Sequence, residues 1–221
     1  MSSVTIAESF DRPLPPIPCI QHSGNAHISG PSTSNAEAPS FAFSVPFNTW
    51  DQYADQVLRR SSLSGHALAS YETTRQLRLE ADVADAAAVH LINPIDMAIS
   101  SYRPGSVISL NQHTVGTART DKCWLFNGSE EVPFAVLDYK RPGIIREKEF
   151  AKAFVLPQHT GTYSRRVTQM RRRCFVGNSE TLLKQAVNYS DQYQTKYVAL
   201  FDWQCLLLLV LEQREGFNGG L

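Results

Sequence analysis

Residues 134–140, FAVLDYK, place a carboxylate and an ammonium group two positions apart at the end of an apolar run. Alternate residues of a β-strand face the same side, so Asp138 and Lys140 would lie side by side on a strand. Phosphodiester hydrolysis needs a metal-bound carboxylate and a group that orients or deprotonates water, and a lysine beside a carboxylate can supply the second. Taken alone, the same tripeptide is also typical of a strand that ends in solvent.

A second carboxylate lies one hairpin upstream. Asp121 begins the predicted strand that contains KCWLF, and Asn127-Gly128 is a hairpin-turn pair between this strand and FAVLDYK. Antiparallel pairing would bring Asp121 beside the end of the Asp138 strand, and converging carboxylates are what a hard divalent cation requires. The alternative is a turn aspartate that accepts hydrogen bonds from backbone N–H groups.

A helix before the strands offers a third carboxylate. Glu80 lies in LEADVADAAAVHLINPI, whose apolar stripe packs the helix down and could point Glu80 toward the end of the sheet. Glu72 is a competing candidate two turns earlier. Either residue alone is equally typical of a solvent-facing helical position.

Gln185 and Tyr189 stand four residues apart on a helix predicted after the strands, and they therefore share one face. Gln185 could hydrogen-bond a phosphate or a metal-bound water, and Tyr189 could support it. The alternative is a half-exposed amphipathic helix with no role in chemistry.

The elements that must position these residues follow from periodicity and turn signals. We predict a helix from Asn48 that Gly65 ends, and a longer one from about Ala67 to Ser100 that Pro94 bends or restarts. Strands are predicted at 106–118, 121–126, 132–140, 197–201 and 205–211, with one or two helices in 144–173 and another at 180–193. This order predicts an α/β fold in which helices pack on a mixed central β-sheet.

Seven of the twelve prolines lie within residues 1–46, with Ser, Asn and Gly between them. This composition buries too little apolar surface to offset chain entropy, so we expect a disordered leader over 1–46 and one domain over 47–221. PLPPIP at 13–18 could form polyproline II and dock a protein partner, although a flexible tail is the plainer interpretation.

In combination, these residues resemble the PD-(D/E)xK nuclease superfamily, whose restriction-endonuclease-like fold carries Glu on a helix, then Asp and (D/E)xK on antiparallel strands. Glu80, Asp121 and 138–140 stand at the matching places, and the Gln185 to Tyr189 run looks like the Q-x-x-x-Y motif of the exonuclease-like branch. YVALFDWQCLLLLVL also looks like the strand-turn-strand close of nuclease modules in fungal and Crinkler-like proteins. The resemblance covers about residues 66–211. The sequence departs from the family pattern in lacking Pro before Asp121.

The resemblance implies a metal-dependent nuclease. Glu80, Asp121 and Asp138 would hold Mg²⁺ or Mn²⁺, Lys140 would orient or activate the attacking water, and Gln185 and Tyr189 would assist. The family also contains members that have lost activity. A catalytically inactive nuclease-fold module that binds nucleic acid or a protein partner is therefore the alternative.

Charge is balanced over the whole chain, with 21 basic and 21 acidic residues, but it is unevenly distributed. Residues 140–173 carry ten Lys and Arg against two Glu, directly after the proposed metal strand. Such a run suits a nucleic-acid backbone, with DNA favoured over RNA, although an import signal would have a similar composition. The candidate nucleic-acid-binding residues are Arg141, Arg165, Arg166, Arg171, Arg172 and Arg173.

Other classes fit the sequence poorly. The four cysteines form no C-x-x-C pair, which argues against a zinc site and favours an intracellular setting, nuclear or cytoplasmic. The N-terminus has no apolar signal-peptide region. The most apolar stretch, 197–211, contains Asp202 and is shorter than the ~20 residues that a membrane span needs, so no membrane association is expected.

Overall fold

The computed structural model describes residues 5–20, 36–39, 42–43, 45, 48–60, 63, 66–67, 75–151, 153–155 and 175–211. Its helices are α1 (Ile6–Ser9), α2 (Asn48–Arg60), α3 (Glu80–Ala87), α4 (Asn93–Tyr102), α5 (Glu147–Phe150) and α6 (Asn178–Tyr193), with a π-helical turn at Ala88–Ile92. Its strands are β1 (Ala42–Phe43), β2 (Val107–Val115), β3 (Ala118–Asn127), β4 (Glu131–Tyr139), β5 (Phe154–Val155), β6 (Tyr197–Phe201) and β7 (Leu206–Val210).

A five-stranded mixed sheet in the order β2-β3-β4-β6-β7 forms the centre of the domain. β2, β3 and β4 follow one another in antiparallel hairpins, whereas β4 and β6 are parallel and β6 and β7 antiparallel. The parallel pair requires a crossover, which the segment containing α6 supplies. The chain therefore has the predicted α/β fold, a mixed sheet flanked by helices.

Each face of the sheet is covered by a different set of helices. On one face, Val136 and Leu200 pack with Leu182 and Ala186 of α6. On the other face, Leu137 and other alternate side chains pack with α3 and the π-helical turn. A fully buried leucine stabilises the fold by about 1.5–3 kcal/mol relative to an exposed one, so burial on two faces explains the near-continuous apolar sequence of β4.

The helical region before the sheet differs from the prediction at its start. α3 begins at Glu80 instead of Ala67, and Leu77 is an extended residue that forms a parallel bridge with Cys19. Pro94 does not break the helix, because the backbone widens into the π-helical turn just before it and the Asn93 N–H donates to the Ala88 carbonyl. A proline has no N–H and crowds the carbonyl four residues back, and a wider turn relieves both effects.

A buried polar network, which we call the Asp96 network, fixes α4 to the sheet. Asp96 accepts hydrogen bonds from Ser109 Oγ at 2.8 Å and from Trp124 Nε1 at 2.7 Å. Lys122 Nζ lies 2.9 Å from Asp96 Oδ2 and 3.1 Å from Asn111 Oδ1. The buried ammonium of Lys122 thus has two oxygen partners, as a buried charge requires.

The strands lie close to their predicted positions. β4 and β6 match within one residue, β7 is one residue shorter at each end, and β3 begins three residues before Asp121. Asp121 is therefore inside a strand and not in a turn. The predicted helical region at 144–173 contains α5 and the short strand β5, while residues 152 and 156–174 lie outside the described part of the chain.

The N-terminal segment does not behave as the expected disordered leader where the structure describes it. Ile6 and Ile17 are buried, and the Trp203 indole donates to the Pro15 carbonyl at 3.3 Å. β1, also within the expected leader, pairs in parallel with β5. The composition hid this packing because only a few apolar residues among many prolines make the contacts.

None of the helices among the described residues is both long and apolar enough to cross a membrane. The apolar stretch singled out in the sequence forms β6 and β7, which are paired with each other.

Candidate active site

Asp138 and Lys140 lie at the C-terminal end of β4, where the strand is fully buried. Lys140 Nζ donates to Asp138 Oδ2, and the two side chains form a buried ion pair. The Lys140 N–H also donates to the Phe201 carbonyl at 2.8 Å, which continues the pairing of β4 with β6 past the end of the strand. The alternation of β4 thus puts both charged groups on one side, as the spacing predicts.

Asp121 lies beside Asp138 on the neighbouring strand, because Lys122 of β3 pairs with Leu137 of β4. Its Oδ2 accepts a hydrogen bond from the Tyr139 N–H at 2.7 Å. Burial raises the pKa of Asp121 to about 7, and the nearby negative charge of Asp138 adds to the effect. A carboxyl group with this pKa can hold or release a proton near neutral pH, which is typical of functional sites.

Glu80 is the first residue of α3, at the edge of the same group of charges. Desolvation by the surrounding protein raises the pKa of the Glu80 carboxyl, and the negative charge of Asp138 raises it further. The positive charges of Lys140 and Arg141 lower it. The residue itself is exposed, so its carboxylate can turn toward solvent or toward Asp138. Glu72, the competing candidate, lies outside the described residues.

The long helix α6 covers the aspartates with Tyr189 and Gln185. Tyr189 is buried, and its hydroxyl donates to Asp138 Oδ2 at 2.9 Å, while burial and the charge of Asp138 raise the pKa of the phenol. Gln185 is only 6 % exposed, one helical turn away on the same face, and its Oε1 has no hydrogen-bond partner among the described residues. A buried amide oxygen without a partner costs about 1–3 kcal/mol, so it needs an explanation.

The structure therefore brings together Asp121, Asp138, Lys140 and Tyr189, which we call the Asp138 cluster. Glu80 lies at its edge and Gln185 beside it. Of the basic residues, Arg141 is half-buried and close enough to Glu80 to lower the pKa of that carboxyl. The remaining candidates for nucleic-acid binding, Arg165, Arg166, Arg171, Arg172 and Arg173, lie outside the described residues.

The sequence reasoning missed Asp202, which secures the loop after Lys140. Its side chain is completely buried and accepts hydrogen bonds from the backbone N–H groups of Ile145 at 2.9 Å and Cys205 at 2.8 Å. The bond to Ile145 ties the loop after β4 to the β6–β7 turn. An aspartate at the start of a tight turn is a known signal for this local bonding, whereas the bond across 57 residues has no sequence signal.

Gln112 is a second residue that the sequence did not point to. It lies in β2 opposite Asp121, between two residues that pair regularly with β3, yet its φ is 52°. A non-glycine residue in this left-handed region is uncommon, and such outliers often occur at functional sites. The backbone of β2 therefore departs from regular strand geometry beside the Asp138 cluster.

The donor chemistry of this cluster suits Mg²⁺ or Mn²⁺ in part. Asp121 and Asp138 are adjacent oxygen donors whose mutual repulsion a divalent cation would relieve. However, no group of three or more His, Cys, Asp and Glu side chains within the described ranges is arranged to hold a metal ion. Glu80, the third predicted ligand, would have to turn inward from its exposed position to complete the set.

Comparison of the chain with protein-family models, with curated proteins and with solved structures finds no match.

Proposed function

We propose that the chain is a metal-dependent nuclease with a restriction-endonuclease-like core, and that the Asp138 cluster is its active site. The observation that carries the proposal is the convergence of Asp121, Asp138 and Lys140 at the buried end of the central strand, with Tyr189 on Asp138. An excess of carboxylates over cations at one point is the arrangement that phosphodiester hydrolysis by a bound divalent cation requires.

Asp121 and Asp138, with Glu80 turned inward, would hold Mg²⁺ or Mn²⁺. The cation would supply charge neutralisation at the scissile phosphate and a more acidic bound water. Lys140 Nζ, fixed beside Asp138, would orient the attacking water through a hydrogen bond. Tyr189 holds the Asp138 carboxylate in position, and Gln185 Oε1 is a free acceptor for a water proton.

In the reaction, the water oxygen forms a bond to phosphorus and one P–O ester bond breaks. One water proton leaves to a base, and the departing alkoxide takes a proton from solvent. The positive charges of Lys140 and Arg141 would stabilise the negative charge that develops on the phosphate in the transition state. Nucleic acid, with DNA favoured over RNA, is the proposed substrate because of the basic run that follows β4. An intracellular site of action, nuclear or cytoplasmic, accords with the free thiols of Cys19, Cys123 and Cys205.

A cleavage assay tests the proposal directly. Purified protein is incubated with linear DNA, circular DNA and single-stranded RNA, in Mg²⁺, in Mn²⁺ and in EDTA. We expect cleavage only with a metal, and we expect Lys140→Ala to reduce the rate by about 10²–10⁴-fold, because it removes the group that orients the water. The matched control is Lys196→Ala, since Lys196 is exposed and its ammonium lies over the Tyr197 ring, away from the Asp138 cluster. Equal rates for the parent and Lys140→Ala would refute the catalytic assignment.

The second candidate function is a module of the same fold that binds nucleic acid without cleaving it. It is favoured by the direct ion pair between Lys140 and Asp138, which occupies the carboxylate that a metal would need. Titration calorimetry with Mn²⁺ separates the two functions. Nucleic-acid binding without Mn²⁺ binding supports the module, whereas Mn²⁺ binding that Asp138→Asn abolishes supports the nuclease.

A further inference from the structure

Residues 13–20, which we call the proline strap, lie across the domain beside the C-terminal ends of β4 and β6. Ile17 is buried, and Leu14 and Ile20 are half-buried, whereas Pro13 and Pro16 are exposed. The strap therefore presents one side to the domain and leaves three of its four prolines exposed, as an extended proline-rich chain lying on a surface can. The prolines stiffen the strap, and the aliphatic residues between them make the apolar contacts.

The surface under the strap is aromatic. Trp203 is the second residue after β6, and its ring packs against Phe201 at 5.9 Å and His90 at 6.2 Å between centroids. Its indole Nε1 donates to the Pro15 carbonyl at 3.3 Å. An aromatic groove with an N–H donor aimed at a proline-rich backbone is how proteins commonly recognise such peptides.

The backbone conformation of Trp203 also indicates that its indole is positioned to meet the strap. Its φ is 74°, a left-handed conformation that bulky residues rarely adopt and that costs about 1 kcal/mol or more. Asp202 fixes this turn by accepting the N–H groups of Gln204 at 3.1 Å and Cys205 at 2.8 Å. The strained turn places the indole in the groove, where it meets the strap.

The far end of the strap holds the segment that leads into α3. The Ile20 N–H donates to the Leu77 carbonyl at 2.8 Å, and the Leu77 N–H donates to the Pro18 carbonyl at 2.9 Å. Leu77 is completely buried and stands three residues before Glu80. The strap therefore connects the Trp203 groove to the start of the helix that carries Glu80.

We propose that the Trp203 groove is a binding site for proline-rich extended peptides, occupied in cis by residues 13–20, and that its occupation holds the first turn of α3 in place. The peptide site goes beyond the proposed hydrolysis and does not depend on it. Only its consequence for Glu80, that release of the strap would lower catalysis, rests on the proposed function.

A variant of the protein that a protease can cut after the strap tests whether the groove binds a separate peptide. A protease recognition sequence is inserted between Gly24 and Asn25, and a fluorescent peptide of residues 1–24 is added before and after cleavage. In the intact chain the tethered strap competes at a high effective concentration, so we expect no peptide binding. After cleavage and equilibration, the labelled peptide should exchange into the groove and its anisotropy should rise. No exchange would overturn the proposal, because the strap would then be a permanent part of the core.

Variants of the peptide leave the protein unchanged and so avoid any folding defect. The Ile17→Ser peptide should bind at least about tenfold more weakly, because it loses the buried side chain, whereas the Pro13→Ser peptide should bind like the parent. In the protein, Trp203→Phe should weaken binding about fivefold by removing one hydrogen bond. Trp50→Phe is the matched control, since Trp50 lies on α2 and contacts the Tyr197 ring. Equal affinities for the Ile17→Ser and parent peptides would refute the groove.

Hydrogen exchange tests the consequence for α3 without measuring hydrolysis. The cleaved protein is compared with and without saturating peptide, and we expect exchange at the Val83 amide, in the first turn of α3, to be at least about tenfold faster without it. Unchanged exchange would show that the strap does not hold the helix. A nuclease assay that fails while the peptide binds would count against the proposed function and leave the groove standing.

Discussion

The sheet carries a buried lysine–aspartate pair on each of its faces, and the two pairs differ in balance. The ammonium of Lys122 has two hydrogen-bond acceptors, and both carboxylate oxygens of Asp96 accept hydrogen bonds. In the Asp138 cluster, the Lys140 ammonium pairs with Asp138, and the pKa of the neighbouring Asp121 is raised to about 7 by burial and by Asp138. The balanced pair stabilises the fold, and the imbalance of the other pair is the kind of arrangement found where proteins bind a ligand.

Breaking the balanced pair should have the largest effect on stability. Asp96→Ala leaves the buried ammonium of Lys122 with Asn111 as its only described hydrogen-bond partner, and we expect the free energy of unfolding to fall by about 2–4 kcal/mol. Urea unfolding at pH 7 measures the change. Asp55→Ala is the matched control, because Asp55 forms an exposed pair with Arg59 worth at most about 1 kcal/mol. Equal losses in the two variants would contradict the structural role of the Asp96 network.

Removing a negative charge from the Asp138 cluster should raise the free energy of unfolding instead of lowering it. The pKa of Asp121 is about 7 in the fold and 3.8 ordinarily, so the folded state holds its proton more tightly than the unfolded state. Its contribution to stability is therefore complete below about pH 4 and is lost as pH rises through 7. Asp121→Asn removes this loss, and we expect it to raise the free energy of unfolding by about 1–3 kcal/mol at pH 8, measured in EDTA.

The same measurement at pH 4 is the internal control for this prediction. There the parent and Asp121→Asn should be nearly equal, because the aspartate is protonated in the folded protein. Asp191→Asn, at an exposed position of α6, should change neither value. A lower free energy of unfolding in Asp121→Asn than in the parent at pH 8 would contradict the prediction, because it would show that the charge of Asp121 is already balanced in the cluster.

Gln185 offers the smallest and most selective test of the comparison. Its buried Oε1 has no described hydrogen-bond partner, so Gln185→Leu should leave the free energy of unfolding within about 1 kcal/mol of the parent or slightly above it. Cleavage activity should nevertheless fall, because a ligand of the site would use that oxygen. A loss of more than about 2 kcal/mol would mean that Gln185 has a structural role. Gln56→Leu, on the exposed face of α2, is the control.

Much of the sheet and of the Asp138 cluster could be predicted because the signals are local. The alternation of β4 places Asp138 and Lys140 on one side, and the hairpin predicted from Asn127-Gly128 forms with its loop at residues 128–130 and brings Asp121 alongside. The four-residue spacing of Gln185 and Tyr189 predicted a shared helical face. Each of these inferences needs only a few neighbouring residues.

The missed features depend on contacts between distant parts of the chain. The Asp96 network joins residues 11 to 28 positions apart, and neither a lone aspartate on a helix nor a lysine on a strand predicts the other. Ile17 and Trp203 meet only in the folded protein, so the proline content of the N-terminal segment suggested disorder instead. Composition reports the average of a segment, whereas packing can depend on two or three of its side chains.

The π-helical turn at Ala88–Ile92 has a consequence for the lengths that this region can tolerate. Each residue in a helix rotates the following side chains by about 100° around the axis. Deleting one residue there would restore a regular α-helix and leave Asp96 facing Lys122, because a π-helical turn holds about one residue more than an α-helical turn does. The wide turn is therefore the place in this helical region where the chain can lose one residue, whereas a deletion in the α-helical segment that follows it would turn Asp96 away from Lys122.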